Sequence, residues 1–113
     1  MKSVITGLTI FTVIIFACSK KSSDNEFKPD CSTPKSFATD VNPIIQASCA
    51  ITNCHASGST NGPGPLTNYT QISNAAHLIR PAVSSGFMPQ NSSLTDAQKS
   101  AIICWIDSGA HDN

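Results

Sequence analysis

Apolar positions fall along the chain in three distinct ways. Val4 to Phe16 is a mainly apolar stretch of thirteen residues without a charge, shorter than the ~20 residues a spanning helix needs. A polar stretch follows, from Ser19 to about Lys35, in which Phe27 is the only bulky apolar residue; it cannot bury a core and is expected to be a flexible tether. Beyond it the apolar residues recur at helical spacing. Val41, Ile44, Ile45 and Ser48 share one face of a helix capped by Thr39 or Asp40, with Pro43 in its first turn and its end near Cys49. Ala56 to Leu66 is rich in Gly, Ser, Asn and Pro and reads as a loop. Asn68 to Ile79 predicts one or two short helices with Tyr69, Ile72, Ala76 and Ile79 inward, ended by Pro81. Val83 to Ser93 is a second loop. Thr95 and Gln98 stand at capping-box positions before an apolar stripe of Ala101, Ile102, Trp105 and Ile106, and Gly109 marks the stop. No segment alternates as a strand does, so the domain is expected to be small and all-α.

The first run is a targeting segment. Lys2 precedes it, and it closes on Ile15-Phe16-Ala17-Cys18, which resembles the bacterial lipobox. That resemblance implies a signal peptide over residues 1–17, lipid on Cys18, and a mature chain anchored to a membrane outside the cytoplasm. Residues 18–35 become the tether, and 36–113 the domain. From Thr39 onward there are two basic residues, Arg80 and Lys99, and four acidic ones, Asp40, Asp96, Asp107 and Asp112. Nothing in that distribution suits nucleic acid. Glu26 is the only Glu, and there is no carboxylate pair, phosphate loop or Ser/His/Asp set, so no enzyme is expected. A domain this small needs a staple beyond its apolar core.

Five cysteines are the obvious source. Cys49-Ala50-Ile51-Thr52-Asn53-Cys54-His55 places four residues between two thiols and a histidine directly after the second. The c-type haem signature is C-x-x-C-H: two thiols add to two vinyl groups and the adjacent imidazole swings under the iron. Here the extra residues must bulge outward while Cys54-His55 keeps its geometry. From about Asp40 to Asn113 the chain resembles a small class I cytochrome c domain of the kind carried by bacterial lipoproteins. The landmarks are the Val41–Ile45 helix, Cys54-His55, the Gly/Pro loop ending in Leu66, Tyr69 and Ile72, Met88-Pro89, and Trp105-Ile106-Asp107-Ser108-Gly109-Ala110.

The resemblance implies one covalent haem c on Cys49 and Cys54, His55 as proximal iron ligand and Met88 as distal ligand, stiffened by Pro89. It also implies a backbone carbonyl near Pro63 or Pro65 orienting His55, and Val41, Ile44, Ile45, Leu66, Phe87, Trp105 and Ile106 packed about the cofactor. One-electron exchange with redox partner proteins follows. His77 competes for the distal position, an open sixth site is a further possibility, and His111 falls in a tail expected to fray. Cys31 and Cys104 are left over as a candidate disulfide. The alternative is a haem-free binding module in which Cys49–Cys54 and Cys31–Cys104 are both bridged, one of the three pairings four cysteines allow. Structural zinc fits poorly, because Cys49, Cys54 and His55 are too compressed for its usual spacings.

Overall fold

The computed structural model describes residues 26–113. The expected signal peptide, Cys18 and the first part of the expected tether lie outside them. Among the described residues the regular structure is entirely helical: a wide π-helical turn (Phe37–Val41) leading into α1 (Asn42–Ser48), then α2 (Tyr69–Asn74), α3 (Ala76–Ser85) and α4 (Asp96–Asp107). None of these helices is long and apolar enough to cross a membrane.

The first helical segment starts a turn earlier than its sequence suggests. Ser36 is the cap: its Oγ accepts from the Thr39 N–H at 3.3 Å, and its own N–H donates to Asp40 Oδ2 at 2.8 Å. The opening turn is wide, with the Asn42 N–H reaching back to the Phe37 carbonyl. In ordinary α geometry the Pro43 ring collides with the Thr39 carbonyl four residues back, and a wider turn relieves that collision.

Pro81 does not end the third helix, contrary to expectation. α3 runs on to Ser85 and stops at Gly86, whose φ of 78° is left-handed. Pro81 and His77 are both exposed, so the His77 carbonyl that loses its helical donor lies where water replaces it. α4 carries the predicted capping box, Thr95 N–H to Gln98 Oε1 at 2.9 Å and Gln98 N–H to Thr95 Oγ1 at 3.2 Å. It is buried on more than the predicted stripe, since Ser100 to Trp105 are all inaccessible.

The extra burial comes from residues expected to belong to the tether. Phe27 packs against the core, the Asp30 N–H donates to Ser100 Oγ at 3.0 Å, and Cys31 is disulfide-bonded to Cys104 with Cα atoms 5.4 Å apart. The packed unit therefore takes in residues on both sides of the boundary drawn at residue 36. On the surface, Arg80 of α3 makes a two-pronged pair with Asp107 of α4 at 2.5 and 2.8 Å, which holds the Asp107 carboxyl below its ordinary range.

Phe37, Tyr69 and Trp105 form an aromatic cluster, with Phe37 5.1 Å from Tyr69 and 5.4 Å from Trp105 between ring centroids. The C-terminal residues close over it instead of fraying. Tyr69 donates its hydroxyl to the Ala110 carbonyl at 2.8 Å, Trp105 Nε1–H donates to the His111 carbonyl at 2.8 Å, and the Phe37 N–H donates to Asn113 Oδ1 at 2.8 Å. His111 contributes through its backbone; its side chain is exposed.

Candidate haem site

α1 delivers the chain to Cys49 and stops there. The Cys49 and Ala50 N–H groups both bond the Ile45 carbonyl, and the His55 N–H bonds the Cys49 carbonyl at 3.0 Å. The six-residue step from Cys49 to His55 is thus closed on itself, and the intervening Ile51, Thr52 and Asn53 form an exposed bulge, of which Ile51 and Asn53 also line the neighbouring cavity whereas Thr52 does not. Asn53 has φ 67°, the left-handed region that Asn tolerates better than most residues.

His55 is 6% exposed and held on three sides. Besides its N–H bond to Cys49, its carbonyl accepts from the Leu66 N–H at 2.9 Å, and its Nδ1 lies 2.9 Å from the Gly64 carbonyl. A carbonyl only accepts, so Nδ1 carries the proton and the neutral ring keeps its lone pair on Nε2. Nε2 has no partner among the described residues. Gly64 sits between the two prolines the sequence offered. Its φ of 106° belongs to glycine, and that conformation sets the direction of its carbonyl.

Cys49, Cys54, His55 and Met88 all line one cavity of about 770 Å³, within the ~300–1,000 Å³ of pockets that bury sizeable organic ligands. α1 contributes Ile45, α3 contributes Ile79, Ala82 and Val83, and α4 contributes Ile102; Leu66 closes the lining from the Gly/Pro loop. Leu78 and Phe87 stand at the mouth, 49% and 65% exposed. Among the described residues no Asp, Glu, Lys or Arg lines it. Cys49 and Cys54 are free thiols, so the structure does not contain the Cys49–Cys54 bridge of the haem-free alternative. Burial first, and the neighbouring Cys54 second, push the Cys49 thiol up to about 11.

Met88 is partly buried in the loop after α3, its N–H bonded to the Ala82 carbonyl at 3.1 Å. His77 lies on the exposed side of α3 and does not line the cavity. Of the apolar residues expected about the cofactor, Ile45, Leu66 and Phe87 line the cavity, whereas Val41, Ile44, Trp105 and Ile106 do not. Trp105 is fully buried in the aromatic cluster instead. Beyond Ile79 the α3 wall is not legible in the sequence, because Pro81 reads as a terminator and the register of Ala82 and Val83 is lost with it. Among the described residues no three His, Cys, Asp or Glu side chains converge as a metal cluster; the candidate groups are instead distributed around a cavity. Comparison of the chain with protein-family models, with curated proteins and with solved structures finds no match.

Proposed function

We propose that the protein is a membrane-tethered mono-haem c-type cytochrome with a small cytochrome c-like fold, passing single electrons outside the cytoplasm. One observation carries this reading: two free thiols, a buried histidine oriented through Nδ1 and a methionine open on one uncharged cavity, while the other two described cysteines are spent in a disulfide.

The residues fit the group. A thiol adds to a vinyl by breaking its S–H bond, forming C–S at the inner carbon and giving its hydrogen to the outer one, so Cys49 and Cys54 need no oxidant. His55 would offer Nε2 to the iron while Gly64 holds the ring and raises its basicity. Met88 would take the distal side; its soft thioether favours the reduced state relative to a second histidine. Held by His55 and Met88, the group would supply one-electron exchange, and the chain would supply a low-dielectric wall and an exposed edge. The partners are redox proteins, and the anchor is lipid on Cys18.

The test is expression of the full chain in cells with periplasmic haem-attachment machinery, followed by denaturation. Haem that stays with the polypeptide, and is lost in His55→Ala, is the expected result. A colourless protein overturns the reading, and one in which Cys49 and Cys54 are no longer alkylatable favours the haem-free binding module with both pairs bridged.

A further inference from the structure

The bulge between the two free thiols is held from outside the attachment motif. Asn61, in the Gly/Pro loop, donates through Nδ2 to the Asn53 carbonyl at 3.0 Å and to the Cys54 carbonyl at 2.9 Å. One planar amide thus spans the peptide that joins the bulge to the second thiol-bearing residue. Ser59 donates from Oγ to the same Cys54 carbonyl at 2.5 Å and accepts from the Asn61 N–H at 3.2 Å. The Cys54 carbonyl therefore has both lone pairs engaged. Ser59 is itself fixed by its N–H to the Ala56 carbonyl at 3.0 Å, and the Asn61 carbonyl accepts from the Gly64 N–H at 2.5 Å. Asn61 thereby connects the bulge to the glycine that orients His55.

A four-residue insert between thiols has many more conformers than a two-residue one, and each conformer frozen costs entropy. Attachment at two vinyl groups needs both sulfurs at a set separation while His55 stays in place. Resting on the haem reading above, we infer that Asn61, supported by Ser59, is the positioning residue that makes the long spacing competent for double attachment. It holds the exposed turn at residues 51–53 in one conformation and keeps the Cys54-His55 pair in register with Cys49. The addition at Cys54 is the same S–H addition across a vinyl group, so Asn61 takes no part in the bond making; it selects the loop conformer from which the second bond forms.

The test uses the full chain matured in the same cells, as wild type, Asn61→Asp and Asn61→Ala. Asp keeps the shape of Asn and removes both donors. Thioethers are counted by the mass of the haem peptide after alkylation of free thiols, and by the reduced pyridine-haemochrome band, which moves to the red when one thioether is missing. Wild type is expected to carry two thioethers. In both variants the doubly attached fraction falls by roughly tenfold, the scale of losing two backbone-directed hydrogen bonds, and singly attached haem accumulates. Deleting Thr52 and Asn53 from Asn61→Ala shortens the spacing to two residues and is expected to restore double attachment. A general folding role for Asn61 predicts no such rescue. Full double attachment in Asn61→Asp and Asn61→Ala, or no rescue by the deletion, overturns the inference while wild-type haem still supports the parent reading; haem-free wild type overturns both.

Discussion

The disulfide between Cys31 and Cys104 joins residues 73 positions apart, so its removal should be among the costliest changes available to this chain. Closing a loop of that length lowers the entropy of the unfolded chain by about 15 cal/mol/K, or about 4 kcal/mol at room temperature. A chain of this length is stabilised by roughly 5–15 kcal/mol in total, so the bridge supplies a large share. The suitable variant is Cys31→Ser with Cys104→Ala: Cys31 is exposed and accepts a hydroxyl, and Cys104 is 6% exposed inside α4, where Ala is tolerated. Urea unfolding followed by far-UV circular dichroism should show a loss of about 3–4 kcal/mol. The slope of stability against denaturant should also steepen, because the uncrosslinked unfolded chain exposes more surface. Limited tryptic proteolysis after Lys35 adds a local readout, since that residue sits in the arm the bridge fastens and is followed by Ser36. A loss below about 1 kcal/mol, with the arm still protected, would refute the claim that the bridge holds residues 26–35 on α4.

Three further outcomes are expected. Met88→Ala in the haem-loaded protein should lower the reduction potential and open the iron to carbon monoxide; no change in either removes Met88 from the distal position. Gly64→Ala should cost about 1–2 kcal/mol from strain at φ 106° alone, because a Cβ there meets nothing nearer than the Ser59 carbonyl at 4.0 Å; an unchanged melting temperature refutes the strain argument. In the haem-free protein, Cys49 holds its proton up to about pH 11 against an ordinary 9.0. The folded state then binds more protons than the unfolded chain across that window, so stability is complete below about pH 9 and falls as pH rises, by about 2 kcal/mol near pH 10.5. Urea midpoints at pH 8 and 10.5 check this, and Cys49→Ala should flatten the slope.

Local signals carried the reading of the sequence a long way, and long-range ones did not. The capping box of α4, the helix entering Cys49 and the Gly/Pro loop are all visible, because each depends on residues a few positions apart. The start at Ser36 was not, since it turns on how Pro43 is accommodated rather than on which residue caps best. Pro81 misled for a related reason. A proline inside a helix is expensive when the carbonyl it strips is buried, and the sequence does not say that His77 faces water. Ser100 and Cys104 are covered by Asp30 and Cys31, 70 and 73 residues away, and no helical period encodes that. Gly64 was legible in part: a glycine between two prolines is a signal for an unusual φ, and the residue between the two candidates is the one whose carbonyl meets His55.

The placement of Trp105 bears on how the site works. It was expected against the cofactor, yet it lies with Phe37 and Tyr69 under the C-terminal residues, and none of the three lines the cavity. Aromatic burial is the largest apolar contribution available to a small core, and here it is spent away from the site together with the disulfide. The aromatic cluster and the disulfide thus stabilise the frame that positions α1, α3 and α4 through contacts of their own, although Cys49 also packs on the core. On the proposed haem reading that is an advantage, because the thiols and the imidazole have to be in place before the bonds form. Trp105→Phe, which keeps one ring of the packing but loses the other and the indole bond to the His111 carbonyl at 2.8 Å, should lower stability by about 2–3 kcal/mol and leave the potential of the haem-loaded protein where it was. A shifted potential with unchanged stability would place Trp105 in the site after all.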